Sequence, residues 1–279
     1  MPVIIAGVLN VTPDSFSDGG RFGSVESAVA AGLAMVEAGA HWLDVGGEST
    51  RPNSVPVDEG EEIRRVVPVI ERLAHVLGGR CRLSIDTYKA GTARAALAAG
   101  ATIVNDVSGG LLDPALLDVT ARAGADIVLG HLRGQPSTMM AKVHFQDVVA
   151  EVAAELGARI LAARTAGCAV ILADPGIGFG KDLEHNLQLL AGLPLLRSHL
   201  AVPILIGVSR KRFIGELTGQ PAPLRTYGTA AAVTAAVLGG AEAVRVHDVA
   251  EMNDVVKVAE AISTTRVYME NHYNGNRNG

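Results

Sequence analysis

Eight short apolar runs in this chain are each followed at once by a polar residue or polar cluster. Segments with apolar residues at helical spacing fill the gaps between the runs. Strands that alternate with helices predict a parallel sheet, and eight such units in about 250 residues close into a barrel. The runs are Val3–Leu9, His41–Leu43, Arg82–Ile85, Thr102–Val104, Ile127–Leu129, Val170–Ala173, Ile204–Val208 and Ala243–Val246.

We therefore predict one α/β domain, a (β/α)8 TIM barrel, over residues 1–269 of the 279. Residues 270–279, ENHYNGNRNG, are predicted to be a flexible tail. Long polar segments follow strands 1, 2 and 5, at 12–24, 49–58 and 133–144, and the first two are expected to be mobile loops. The predicted helices are Val25–Ala38, Glu59–Leu77, Thr92–Ala99, Pro114–Ala123, Phe145–Ala166, Leu183–Leu190, Phe213–Leu217, Thr229–Leu238 and Ala250–Ile262.

The composition narrows the class of protein. Hydrophobic residues make up 48% of the chain and charged residues 19%, which predicts a large folded core. The net charge of −5 argues against a nucleic-acid partner. We see no signal peptide and no membrane span, and Cys81 and Cys168 each precede a strand, where buried thiols are expected. These features predict a cytoplasmic protein with no membrane partner.

In a parallel barrel the carboxyl ends of all strands meet at one mouth, so the polar residues after the runs should converge there. Six blocks of sequence carry these residues, and His131 and His247 are both expected to face the mouth. The blocks are GVLNVTPDSFSDGG (7–20), DVGGESTRP (44–52), SIDT (84–87), NDVSGG (105–110), DPGIGFGK (174–181), and GVSRKRF (207–213) with RVHDV (245–249).

Together and in this order, the blocks closely resemble the dihydropteroate synthase family, from Gly7 to about Ile262. The resemblance implies the condensation of 6-hydroxymethyl-7,8-dihydropterin pyrophosphate with p-aminobenzoate, which gives 7,8-dihydropteroate and pyrophosphate. It also implies Mg²⁺ as cofactor and a homodimer formed through helices of the C-terminal half. No protein nucleophile stands out, which fits a dissociative substitution at the pterin methylene.

A pterin ring presents adjacent N–H donors, and a carboxylate accepts such a pair in bidentate fashion. Asp174 fits this task, with Asn105 beside it and Lys211 as a donor to the ring. Asp86, at the end of strand 3, could stabilise positive charge on the pterin methylene. The family positions that complete the predicted pterin site are Val107, Phe179 and Gly207.

The departing pyrophosphate needs cations. Arg245 and His247 lie two apart on an extended segment and point the same way. Thr50 and Arg51 add to this predicted site, and the resemblance makes Asn10 the one protein side chain on Mg²⁺. The expected catalytic residues are Asp86, Lys211, Arg245 and His247.

The resemblance places p-aminobenzoate against the first two mouth loops. Three departures from the family pattern stand out: Arg212 where Ser is usual, Asn53 where Gly is common, and Gly130-His131-Leu132-Arg133 in place of Met-His-Met-Arg. The residues expected to hold p-aminobenzoate are Phe16, Ser49, Thr50, Arg51, Pro52, Phe179, Lys211 and Arg212.

Two other functions remain open from the residues. A pterin barrel that passes a methyl group from methyltetrahydrofolate to a corrinoid protein would share the Asp and Asn grip, but it has no use for a pyrophosphate site. A non-catalytic barrel would be expected to lose the cation cluster. The cations of SRK and RVHDV argue against both.

Overall fold

The computed structural model describes residues 2–12, 25–49 and 55–275. Within these residues eight strands form one fully parallel sheet in the order β6-β5-β4-β3-β2-β1-β8-β7. The strands are Ile4–Asn10 (β1), Trp42–Gly46 (β2), Arg82–Asp86 (β3), Ile103–Asp106 (β4), Asp126–Gly130 (β5), Ile171–Asp174 (β6), Leu205–Ile206 (β7) and Ala243–Val246 (β8).

The sheet closes into a barrel between its two end strands, β6 and β7. The closure is slight: one bridge joins Ala173 to Ile204, and the Ala173 N–H donates to the Pro203 carbonyl over 2.9 Å. The predicted (β/α)8 barrel is confirmed. The loops that we expected to be mobile, after β1 and β2, fall largely at 13–24 and 50–54, outside the described residues.

The helices follow the predicted pattern, with two differences. Helix α7 was not predicted; it begins after Gly192 with Pro194 in its first turn, where proline is tolerated. Helix α10 runs to Gly275, so residues 270–275 have helical backbone where we predicted a tail. The helices are Val25–Glu37 (α1), Glu59–Leu77 (α2), Ala90–Ala98 (α3), Ala115–Arg122 (α4), Val148–Ala166 (α5), Leu183–Ala191 (α6), Leu193–Leu200 (α7), Arg212–Thr218 (α8), Thr226–Leu238 (α9) and Val249–Gly275 (α10).

Side-chain alternation along the strands creates two apolar cores. The larger one fills the space between the strands and the helices. The smaller one lies inside the barrel and contains Ala6, Trp42, Ile103, Val128 and Leu172. Because successive side chains of a strand point to opposite faces, the residue two positions further along also points inward.

That next inward layer is polar, which is what places the site. Asp44 follows Trp42 by two positions, Asn105 follows Ile103, and Asp174 follows Leu172. In the same way Arg245 follows Ala243, and Asp86 pairs in register with Asn105. The barrel is therefore closed below by apolar side chains and lined by polar ones at the mouth, as the sequence predicted.

Both cysteines are buried free thiols, as expected. Burial raises the pKa of Cys81 to about 11, so this thiol is unreactive at neutral pH. Across the described residues we find no helix with the length and apolar character needed to cross a bilayer.

Candidate active site

Arg245 lies at the centre of the polar layer. Its Nε donates to the carboxylate of Asp44, and its Nη2 lies 2.5 Å from Asp86 Oδ2. Asp44 also accepts a hydrogen bond from Asn105 Nδ2 at 2.8 Å, and its side chain is only 2% exposed. One guanidinium therefore ties β8 to β2 and β3, while Asn105 adds β4.

The charges in this network depend on each other. Burial raises the pKa of Asp86 to about 7, against the lowering effect of the Arg245 charge. Burial also disfavours the charged form of Arg245, but Asp44 and Asp86 outweigh it and raise the pKa of Arg245 overall. The guanidinium stays protonated, and it is what allows Asp44 and Asp86 to lie side by side in a buried layer.

Asp174 ends β6, which lies two strands from β8 around the closed barrel, with β7 between them. Its Oδ1 accepts the Gly176 N–H at 2.7 Å, and a side chain on Gly207 would approach its Oδ2 to 3.8 Å. Burial raises the pKa of Asp174, while the Gly176 N–H and the Lys211 charge oppose the rise. A Cβ on Gly176, at φ +69°, would lie 1.9 Å from the His131 carbonyl, so only glycine allows this turn.

Lys211 approaches Asp174 from the loop after β7. Its Nζ lies 4.0 Å from the centroid of the Phe179 ring, a cation–π contact. Gly178 leaves room for the lysine chain, because a Cβ there would lie 3.0 Å from Lys211 Cδ. The loops after β6 and β7 therefore meet at this lysine.

The turn Ser209-Arg210-Lys211 is held from several sides. Arg210 has a left-handed backbone, with φ of 58°, and its guanidinium forms a two-point ion pair with Asp248. Arg225 Nη1 donates to the carbonyls of Arg210 and Lys211, at 2.9 and 3.1 Å. These contacts offset the strain of a left-handed arginine and fix the start of α8.

Next to this turn lies His247. Ser209 Oγ is 3.1 Å from its backbone nitrogen and 3.0 Å from its Nδ1. Burial, with the charges of Arg245 and Arg210, lowers the pKa of His247 to about 3. The imidazole is therefore neutral at physiological pH, and Arg245 supplies the cation at this end of the site.

His131 does not face the mouth, contrary to the prediction. Its ring is fully buried, with Nδ1 3.0 Å from Lys181 Nζ and Nε2 3.1 Å from Glu155 Oε2. Lys181, 2% exposed, also donates to the Phe179 carbonyl at 3.0 Å. Burial lowers the pKa of His131 to about 4 and that of Lys181 to about 7. The pair of His131 and Lys181 supports the loop that carries Phe179. The apolar run before His131 did not predict this role.

Several predicted residues can be placed only in part. Asn10 is half-buried at the end of β1, Ser49 begins the loop after β2, and Val107 approaches Gly130 with its backbone. Arg212 is 60% exposed and forms an ion pair with Glu216 one turn along α8, so reaching a substrate carboxylate would require leaving that pair. Phe16, Thr50, Arg51, Pro52 and Asn53 lie outside the described residues.

Sequence reasoning left two residues of this site without a role. Asp44 directly follows the second apolar run. It lies two positions after the inward residue Trp42, and this spacing is the signal that would have identified it as an inward residue. Ser209 stands in the SRK block but was given no task. Its partner, His247, comes from the next strand, and no spacing in the sequence reports that contact.

The sequence and the fold match known proteins. Residues 6–247 match the family described as pterin binding enzyme. A dihydropteroate synthase from Mycobacterium leprae is 47% identical over 269 residues, covering 93% of each chain. A Xanthomonas albilineans dihydropteroate synthase solved with 4-aminobenzoic acid is 48% identical, with a TM-score of 0.87 over 94% of this chain and 93% of that one. The same organism's enzyme in complex with 7,8-dihydropteroate is 47% identical, with a TM-score of 0.83 over 94% of each chain.

The chain belongs to the pterin-binding enzymes. Its relatives at this identity and coverage are dihydropteroate synthases, and the prediction of a transferase of that type is confirmed.

Proposed function

We propose that this protein joins 6-hydroxymethyl-7,8-dihydropterin pyrophosphate to p-aminobenzoate, forming 7,8-dihydropteroate and releasing pyrophosphate. The observation that carries the proposal is one mouth that holds the half-buried carboxylate of Asp174 and the guanidinium of Arg245, with β7 between their strands. The first suits the N–H edge of a pterin, and the second suits a departing anion. Relatives with bound 4-aminobenzoic acid and dihydropteroate support the substrate assignment.

In this proposal the pterin ring lies between β4 and β7. Asp174 accepts its paired N–H groups, and its Oδ1 is already oriented by Gly176. Asn105 adds a donor and an acceptor, and Lys211 donates to the ring. Gly207 leaves the space beside Asp174 Oδ2 free for a ligand. Val107 and Phe179 complete the apolar walls.

The pyrophosphate is assigned to Arg245 and His247, with Thr50 and Arg51 from the loop after β2. Arg245 keeps its charge while bound to two carboxylates, so it can serve an anion without a change of protonation. His247 is neutral and contributes a hydrogen bond.

Mg²⁺ fits the site as a partner of the substrate. Asn10 presents a neutral amide at the end of β1, beside Gly46 and the carboxylates of the mouth. The described residues hold no cluster of three His, Cys, Asp or Glu side chains that could bind a metal by themselves. Mg²⁺ commonly keeps several waters and takes substrate phosphate oxygens, so a single protein oxygen suffices. When bound, the ion would neutralise charge on the leaving group.

The reaction breaks the bond between the pterin methylene and the pyrophosphate oxygen, and the electron pair leaves with the pyrophosphate. Positive charge develops on the methylene, and Asp86 is the carboxylate assigned to stabilise it. The aromatic amine then forms the new C–N bond and gives up its proton. Arg245 holds Asp86 in place and serves the leaving group at the same time.

The p-aminobenzoate ring is assigned to the contact between Phe179 and Lys211, which the structure forms. Ser49 and the residues outside the described part, Phe16, Thr50, Arg51 and Pro52, complete this site. Arg212 would join only by giving up its pair with Glu216.

The test is an assay of pyrophosphate release that depends on both substrates. We expect no release when p-aminobenzoate is left out, and none from the pterin alcohol. Asn10→Ala should raise the Mg²⁺ concentration needed for half-maximal rate. Asn253→Ala, which removes a side chain on α10 that donates to the Ala38 carbonyl away from the mouth, is a control for altered stability. Release that does not depend on p-aminobenzoate would contradict the proposed transferase reaction.

We also infer that the protein forms a homodimer through α9 and α10, which pack together along the C-terminal side. Tyr227 is 90% exposed, and Ala231 and Ala235 continue its exposed stripe at four-residue spacing along α9. Val258 and Ile262 form a second exposed apolar stripe on α10. Ala231→Glu should convert the dimer to monomers, as measured by the mass from light scattering. Ala98→Glu, on α3, should leave the mass of the dimer unchanged. A monomeric parent protein would contradict the inference.

Two buried thiols, Cys81 and Cys168, support a further proposal that the protein works in the reducing cytosol. Both should react with a thiol reagent only after denaturation of the protein purified from its source. A disulfide in that protein would contradict this location.

A further inference from the structure

The hydroxyl of Ser209 touches His247 at two atoms. The His247 backbone N–H donates to Ser209 Oγ at 3.1 Å, and Nδ1 of the same residue lies 3.0 Å from that oxygen. Ser209 is 6% exposed, so water has little access to its hydroxyl. One oxygen therefore serves both the backbone and the ring of His247.

The direction of the second hydrogen bond follows from counting protons. If Nδ1 carried the ring proton, Ser209 Oγ would accept two bonds, and its own proton would have no acceptor among the described residues. A buried donor without a partner is costly. If Nδ1 is unprotonated, the hydroxyl donates to it, and both Ser209 Oγ and His247 Nδ1 have their partners.

We infer that Ser209 is a positioning residue that fixes His247 in the tautomer with the proton on Nε2. The inference deepens the proposed function: His247 then offers an N–H donor, and not a lone pair, to a pyrophosphate oxygen. The neutral state of the ring makes the tautomer matter, because a protonated imidazole would donate from both nitrogens.

A parallel contact keeps the two loops in register. Arg210, next to Ser209, pairs with Asp248, next to His247. Thr229 Oγ1 accepts the Arg210 N–H at 3.1 Å and fixes the same turn from α9. Neighbouring residues on one loop thus bind neighbouring residues on the other, which leaves Ser209 little freedom to turn away from the ring.

Nitrogen NMR of the imidazoles tests the inference on the unmodified protein. The chain has eight histidines, and His247→Gln identifies the signals of His247 by their loss. We expect a protonated Nε2 and an unprotonated Nδ1 at neutral pH. A protonated Nδ1, or a mixture of both tautomers, would overturn the inference whether or not any variant folds.

Ser209→Ala should shift the His247 signals toward a mixture of tautomers. It should also weaken the binding of inorganic pyrophosphate by about 3- to 10-fold, the range of one hydrogen bond, while pterin alcohol binds as before. Ser209→Thr keeps a hydroxyl and should restore both readouts. Unchanged His247 signals in Ser209→Ala would overturn the role of the serine.

Ser84→Ala is the matched control. Ser84 is also a buried serine inside the barrel, and its Oγ has no hydrogen-bond partner in the described part of the chain. Its removal should leave the His247 signals and the ratio of pyrophosphate to alcohol binding unchanged. If the unmodified protein binds no pyrophosphate at all, the proposed function fails, but the spectrum still decides the tautomer.

Discussion

Arg245, at the end of β8, binds Asp86, at the end of β3, with Nη2 and Oδ2 2.5 Å apart across the mouth of the barrel. The sequence assigned these residues to separate tasks, the leaving group and the reacting methylene. In the proposed reaction their direct contact couples the two tasks, because the guanidinium assigned to the departing anion also holds the carboxylate assigned to the developing cation.

Arg245→Met should destabilise the protein by about 3 kcal/mol or more at pH 7.5, because it leaves Asp44 and Asp86 buried without their cation. Urea unfolding measures the loss. At pH 5 the loss should be smaller, since burial already raises the pKa of Asp86 to about 7 and protonation removes its charge. Adding Asp86→Asn to the variant should recover part of the loss at pH 7.5. Equal losses at both pH values would contradict this account.

Asp174→Asn should weaken pterin alcohol binding by about 10- to 100-fold, which corresponds to roughly 1.5–3 kcal/mol for a charge-assisted hydrogen bond. The amide oxygen can still accept the Gly176 N–H, so the thermal midpoint should stay near that of the parent. Calorimetry gives the affinity. Asp254→Asn, on the exposed side of α10, serves as the control, and an unchanged affinity in Asp174→Asn would remove this residue from the pterin site.

Arg210→Gly should lower kcat/KM by roughly tenfold, about 1.4 kcal/mol of transition-state stabilisation, because it releases the turn before Lys211 from Asp248. Its stability should change little, since glycine relieves the left-handed strain. Ala201, with φ of 50°, is the other described non-glycine residue with a left-handed backbone, and it lies at the end of α7. Ala201→Gly should gain up to about 1 kcal/mol and keep full activity. A similar loss of activity in both variants would show that the ion pair is not the cause.

Glu155→Gln should lower stability at pH 7 but not at pH 2. Hydrogen bonds from His131 and Arg133 lower the pKa of Glu155 from 4.5 to about 2. A lowered acid pKa stabilises the folded state above the unfolded value, and this contribution disappears as pH falls from about 4.5 to about 2. The urea midpoints of the variant and the parent should therefore differ at pH 7, differ less at pH 4 and converge at pH 2. Glu251→Gln, on exposed α10, should show no such trend.

Much of the fold could be predicted from the spacing of the apolar residues and from the polar residues that follow each apolar run. Each strand of the barrel was found because a polar residue follows an apolar run, and the same rule identified Asp86, Asn105 and Asp174 as residues of the mouth. Arg245 was identified by its two-residue spacing from His247 on an extended segment. Helix α7 was missed because Pro194 and Gly192 are helix breakers inside a helix but acceptable at its start.

A site residue could be predicted only where its position at the end of its own strand was enough to place its side chain in the mouth. Asp44 carries its role through a contact with β8, about two hundred residues away, and Ser209 through a contact with β8 as well. His131 shows the opposite error. It follows β5 as the rule requires, yet its buried ring contacts Lys181 of the loop after β6 and does not line the mouth.

The barrel ring has a seam. One bridge, from Ala173 to Ile204, joins β6 to the chain at the start of β7; the end of β6 carries Asp174 and the loop after β7 carries Lys211. A pterin bound by both residues would link β6 and β7, which the backbone joins through a single bridge. The substrate would then complete the cylinder, and amide hydrogen exchange at Ala173, Ile204 and Leu205 should slow on pterin binding more than at β2 or β3.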